Sequence, residues 1–199
     1  MPRRTDSRRR MLAAAQTLFA QRGYLATTLD DVVATSGTPR GSVYFHFPGG
    51  KEQIAIETAG AVSVSMPELV QDMNRASASP ADLVRRFFAH FADLFVESGH
   101  RQGCPIATTT LEIDGSAPLL PHLNNVFEQW RGAFAAALED VGKPSCEAAA
   151  IAAVILSGFE GALIQAKAAR DCRIIRTVGE ELAAYVEHRH RAPASRPKT

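Results

Sequence analysis

The sequence predicts an all-α fold, a small three-helix N-terminal module followed by a larger helical domain. Three observations carry that expectation. Apolar residues recur at three- and four-residue spacing along most of the chain, glycine and proline punctuate it into helix-sized pieces, and no stretch alternates apolar with polar residues as a half-buried strand would. With 199 residues, 46% of them hydrophobic, the chain can bury a core without disulfide or metal.

The first helix spans Ser7 to Arg22, with Met11, Leu12, Ala15, Leu18 and Phe19 on one face and Gly23 ending it. Thr28 is placed as the N-cap of a two-turn second helix, with Asp31 as its capping-box acid and Asp30 and Asp31 both favourable at the positive helix end. Gly37 breaks that helix. Thr38 is expected to cap a third, from Pro39 to about His46, because proline is tolerated in a first turn whose amide has no helical partner. Pro48-Gly49-Gly50 ends it, and Lys51 opens a fourth helix that continues past Ala61 with Pro67 as a kink or stop.

Ser79-Pro80-Ala81-Asp82 caps a helix carrying Leu83, Phe87, Phe88, Phe91, Leu94 and Phe95, which ends at Gly99. Gly103-Cys104-Pro105 introduces a short helical segment to about Ile113. Gly115 and Pro118 separate it from a helix holding Leu119, Leu123, Val126, Phe127, Trp130 and Phe134. After Gly142-Lys143-Pro144, two long helices close the chain, Ser145 to about Arg170 and Arg173 to about Arg189. The domain limits are expected at 1–50 and 51–191, with 192–199 a disordered tail.

Charge is distributed unevenly. Residues 1–51 carry 8 Lys/Arg against 3 Asp/Glu, a net of +5, whereas the remainder carry 14 against 18, a net of −4. A basic first quarter on an acidic chain suits a module that meets a polyanion, although a solvated basic tail would leave the same imbalance. The arginine-rich start lacks the apolar stretch of a signal peptide, and no apolar run approaches the roughly 20 residues of a membrane span, so the expected location is the cytoplasm and no membrane partner is expected. Cys104, Cys146 and Cys172 are odd in number and widely spaced, which suits a reducing compartment.

Residues 29–47 have the parts of a helix-turn-helix: a short helix, a glycine turn and a second helix with a free outer face. Val43 and Phe47, four apart, share the inward face with Val32 and Val33, which turns Arg40, Ser42, Phe45 and His46 outward. An arginine can bond both acceptors of guanine in the major groove, and a small serine lets the helix approach. Gly41 is costly inside a helix unless close backbone approach is needed there. Tyr44, His46, Lys51 and the amides after Thr28 are candidate phosphate contacts, and Arg3 and Arg4 add phosphate or minor-groove contacts from the tail. Gly49-Gly50-Lys51 is no P-loop, since the earlier glycine spacing is missing and Glu52 stands where Ser or Thr should follow.

Thr27-Thr28-Leu29-Asp30-Asp31-Val32-Val33-Ala34, Ser36-Gly37 and Arg40-Gly41-Ser42-Val43-Tyr44-Phe45-His46-Phe47 together resemble the TetR family of bacterial repressors over the first quarter of the chain. Residues 46–53 and Gly103-Cys104-Pro105-Ile106-Ala107 resemble its LmrA/YxaF-like branch of multidrug-efflux and flavonoid-responsive repressors. The resemblance implies a homodimer, a double-stranded DNA operator as partner, and a C-terminal ligand domain whose last two long helices build a four-helix interface. It also implies that ligand binding reaches the recognition helices through the fourth helix. Phe47-Pro48-Gly49-Gly50-Lys51 is one residue longer than the commoner family spacing, and Pro39 stands where the family often has serine.

Most of the larger aromatics fall on two helices: Phe87, Phe88, Phe91 and Phe95 on one, Phe127, Trp130 and Phe134 on the other. Any one of them serves equally as bundle core. As a cluster, joined by Leu111 and Phe159, they suit a partly open apolar cavity for a flat aromatic effector, with Cys104, Thr108, Thr109, Asn125 and Gln129 as polar contacts. Gly158 and Gly161 interrupt an apolar helix wide enough to face a second copy, together with Ile174, Ile175, Val178, Leu182 and Val186; an internal helix pair is the alternative.

Cys104 has no basic neighbour beyond Arg101 and reads as inert. His188 and His190 lie on different faces with no metal-spaced partner, so neither metal nor cofactor is expected. No nucleophile elbow, His-Glu-x-x-His or Cys/His pair points to an enzyme. The competing class is a helical small-molecule carrier without DNA function.

Overall fold

The computed structural model describes residues 3–115 and 118–191, with the side chains of 3–5, 190 and 191 set aside. Arg3 and Arg4 lie in helical backbone, but the contacts expected of their side chains lie outside the described residues, as does the 192–199 tail. Among the described residues the chain is helical with no strand. The helices are α1 (Arg3–Arg22), α2 (Leu29–Ser36), α3 (Val43–His46), α4 (Gly50–Ala76), α5 (Pro80–Glu97), α6 (Pro105–Glu112), α7 (Leu120–Glu139), α8 (Ser145–Ala169) and α9 (Arg173–Arg191).

The observed elements depart from the expected ones in four places. α1 begins four residues earlier than Ser7. The third helix is divided into a 3-10 turn over Arg40–Ser42 and a single α-turn. Pro67 does not stop α4, which runs on to Ala76 without the bond that a residue 67 amide would give to Ser63. α8 is long and apolar enough to cross a membrane by length and composition, contrary to the sequence expectation, yet its Ile151, Ile155, Leu156, Phe159 and Leu163 are buried within the chain's own fold.

The chain divides into two compact units, Met1–Met66 with Arg101–Gln129, and Pro67–His100 with Trp130–Thr199. In the first, Met11, Leu18, Phe19, Val32, Phe47, Ile54, Ile106, Leu123 and Val126 are buried. Its α6 is tied to α1 by the Gly103 amide donating to the Ala20 carbonyl at 3.1 Å.

In the second unit Phe87 is the hub. Its ring centroid lies 5.9 Å from Phe88, 4.8 Å from Phe91, 5.0 Å from Phe134 and 4.9 Å from Phe159, mostly edge to face. α5 and α9 approach closely at Gly179, where a Cβ would stand 2.5 Å from the Cβ of Phe88. Arg85 donates to Glu180 and Arg176 to Asp93 across the same pair of helices, at 2.9 and 2.6 Å.

Candidate nucleic-acid interface

The local chemistry of α2 fixes the helix-turn-helix. Thr28 Oγ1 accepts the Asp31 amide at 3.1 Å while Asp31 Oδ2 accepts the Thr28 amide at 2.9 Å, a complete capping box. The hydroxyl and then the amide of Thr28, with Arg22 beyond them, hold the Asp31 carboxyl below its usual range. At the other end Gly37 adopts φ 61°, and Arg10 donates to the carbonyls of Ser36 and Gly37. Glycine is favoured there by conformation; a Cβ on Gly37 would meet only the movable end of the Arg10 side chain, at 2.8 Å.

Thr38 is buried, and its hydroxyl lies 2.7 Å from that of Ser36. The expected cap at Thr38 is therefore replaced: Pro39 precedes the 3-10 turn without a side-chain cap, because the Thr38 hydroxyl is turned into the α2 terminus. Val43 and Phe47 are buried, as the four-residue spacing requires. Packing these two inward carries the segment between them outward. Tyr44 is 67% and Phe45 60% exposed, an unusual state for large aromatics unless they have a partner.

The same packing leaves Arg40 exposed and Ser42 and His46 half-exposed. Ser42 donates to the Pro39 carbonyl, which leaves its oxygen as an acceptor, and His46 is held edge to face against Phe45 at 5.1 Å. Nothing lies within 4 Å of a Cβ built on Gly41, so no contact inside the protein demands glycine there. Arg40 Nη2 donates to Asp30 Oδ2 at 2.9 Å across the turn. Sequence reasoning gave Asp30 only a favourable place at the positive end of the second helix and missed its pairing with Arg40. The available signal was that two adjacent acids cannot both face Thr28, so one of them had to serve elsewhere.

Lys51, expected to contact phosphate, also makes contacts within the fold. Its Nζ donates to the carbonyls of Tyr24 and Thr27, each at 3.1 Å, and lies 4.4 Å from the Tyr24 ring centroid. Two of its three donors are thus engaged within the fold. On the other side of this turn, Glu112 accepts the Leu25 amide at 2.8 Å, and a Cβ on Gly23, at φ 91°, would stand 2.0 Å from Glu112 Oε1. α4 and α6 therefore grip the five residues leading into the Thr28 cap.

The residues expected to bind an effector divide between the units. Phe88, Phe91, Phe134 and Phe159 join the Phe87 cluster, and Phe95 and Trp130 are buried. Cys104, Thr108, Leu111 and Phe127 belong to the first unit. Cys104 caps α6 by accepting the Ala107 amide, Thr108 donates to the Cys104 carbonyl, and Phe127 is half-buried. Leu111 is 77% exposed, because Ile106 and Thr109 take the inward positions of α6.

Residues 11–58 match the profile of bacterial regulatory proteins of the tetR family, and residues 80–181 match the C-terminal domain of LmrA/YxaF-like transcriptional regulators. The chain belongs to the TetR family. It is 32% identical to the uncharacterized HTH-type transcriptional regulator YxaF of Bacillus subtilis, over 94% of this chain and 98% of that one. It is 29% identical to the HTH-type transcriptional regulator LmrA of the same organism, over 83% and 89% respectively. A TetR regulatory protein of Rhodobacter sphaeroides shares the fold, with TM-score 0.80 and 19% identity over 90% of this chain and 98% of that one. As a TetR-family chain with a helix-turn-helix, it is a DNA-binding transcriptional regulator, from a family of regulators and not of enzymes.

Proposed function

We propose that this TetR-family regulator is a cytoplasmic homodimeric repressor that occludes a pseudo-palindromic operator and is released by an apolar or aromatic effector. The observation that carries the reading is the outer face of the recognition segment: Arg40, Tyr44 and Phe45 stand exposed over the buried Val43 and Phe47. In a dimer two such faces, about 34 to 36 Å apart, enter successive major grooves. Arg40 reads a guanine, Phe45 packs on a base edge, and Tyr44, Ser42, His46 and the α2 amides behind Thr28 fix the register on phosphate. Residues 1–50 act as the DNA-binding domain and 51–191 as the effector and dimerisation domain.

Dimerisation through α8 and α9 is supported by a stripe on α8. Ala150, Val154, Ser157, Gly161, Ile164 and Ala168 recur at alternating spacings of four and three, with Val154 43% and Ile164 55% exposed. On α9 Tyr185 is 37% exposed. An effector that binds the non-operator spacing more tightly than the operator-bound one releases the DNA; equal affinity for both would shift nothing.

The test is a fluorescence-anisotropy titration of the purified protein against DNA flanking its own gene, repeated with flavonoids and with cationic dyes. Tight, salt-sensitive binding abolished by one of these compounds is the expected result. Binding no tighter than to unrelated duplexes refutes the operator assignment.

A further inference from the structure

We infer that Asp30 is a specificity-determining residue, holding Arg40 for base reading and disfavouring its use as a general phosphate clamp. This rests on the base-reading role proposed for Arg40. Asp31 is committed to the Thr28 capping box, whereas Asp30, one residue before it in α2, accepts Arg40 Nη2 at 2.9 Å. The two side chains are 61% and 80% exposed, so the pair adds little to folding stability. Its place at the positive end of α2 suits any acid, but the pairing with Arg40 needs a further account.

Asp30 lies in the first turn of α2, beside the face that meets DNA. A carboxylate there repels phosphates on every sequence and weakens binding without discrimination. That cost is intelligible where the carboxylate improves the choice among sequences. A guanidinium has five donors in a planar fork, and the single contact to Asp30 leaves enough of them for both guanine acceptors. The tether also orders a long flexible side chain before binding, which lowers the entropy lost on the correct base. A phosphate placed at Arg40 would have to approach Asp30 as well, so the alternative use of the arginine is penalised.

The experiment selects duplexes from a randomised pool with the full-length wild-type protein. The winning duplex and a scrambled one are then titrated by anisotropy at two salt concentrations with wild type, Asp30→Ala, Asp30→Asn, Arg40→Ala and the Asp30→Ala/Arg40→Ala double variant. Asp30→Ala is expected to bind the scrambled duplex roughly 3- to 10-fold more tightly, and to lose roughly tenfold in the ratio of selected to scrambled affinity. Asp30→Asn, which keeps an acceptor oxygen without the charge, should recover part of the ratio while retaining the tighter non-specific binding. The double variant should be no less selective than Arg40→Ala alone.

Because the pair is exposed, melting temperatures should fall by no more than the few degrees expected for losing one acid from the first turn of α2, separating this effect from misfolding. If Asp30→Ala strengthens binding to both duplexes by the same factor, the residue is only a repulsive charge and the inference is overturned. If Asp30→Ala remains selective while Arg40→Ala does not, the base-reading assignment stands and the inference alone fails. Unaltered selectivity in Arg40→Ala removes both.

Discussion

Replacing Gly179 by alanine tests how closely α5 and α9 must approach. A Cβ at this buried position would lie 2.5 Å from the Cβ of Phe88 and 2.8 Å from its Cγ. The first of these atoms is bound to the α5 backbone, so no rotamer change moves it, and the helices must separate by roughly 1 Å to restore ordinary contact. Phe88 cannot yield either, since its ring lies 5.9 Å from Phe87 and 5.8 Å from Phe159. Overpacking of this kind costs about 1 to 3 kcal/mol, and a clash with backbone-anchored atoms belongs in the upper half of that range. Alanine recovers about 1 kcal/mol over glycine inside a helix. The net loss is about 1 to 2 kcal/mol, a fall in Tm of about 2 to 8 °C. Gly158→Ala is the control: its Cβ meets the terminal Cδ1 of Leu182 at 2.7 Å, a methyl group that can swing aside, so its Tm should stay near wild type. Thermal melts followed by circular dichroism, at one protein concentration because a dimer's Tm depends on it, decide the matter. A Gly179→Ala protein that melts at or above wild type would refute the close-packing argument.

Lys51→Met removes two hydrogen bonds from an ammonium and its contact with the Tyr24 ring, and should cost about 1 to 2 kcal/mol after discounting for partial exposure. Its salt dependence of DNA binding should stay unchanged; a slope shallower by about 0.9 would instead assign Lys51 a direct phosphate contact. Gly161→Leu adds bulk to the outer stripe of α8, where nothing lies within 4 Å of the new Cβ, so the protomer should fold normally and the dimer should dissociate on light-scattering chromatography. A full-strength dimer would place the interface elsewhere. The Asp31 carboxyl is held below its unfolded value, so its stabilisation is present above about pH 4 and is lost as pH falls through the folded value. Asp31→Ala should therefore show a flatter decline in Tm between about pH 6 and pH 3 than wild type; parallel declines would remove the capping box as a source of acid sensitivity.

The sequence by itself determined most of the helices and their breaks, because the forces responsible act over a few residues. The Thr28–Asp31 box spans three positions, Gly37 answers a purely local need for positive φ, and the inward faces of Val43 and Phe47 follow from helical period alone. The face offered to DNA was legible for the same reason.

Only the tertiary structure decided how the polar side chains on those faces are used. Thr38 turns inward to Ser36, the third helix becomes a 3-10 turn and a single α-turn, and Lys51 closes on a turn 24 to 27 residues before it. Asp30 meets Arg40 ten residues away, and Glu112 meets Leu25 across 87. Helical period states which face a residue occupies and nothing about what is brought opposite it. Long ionic side chains can reach several neighbours at similar cost, so the partner each one takes is set by how closely the backbones approach, and that distance is fixed by the packed apolar core.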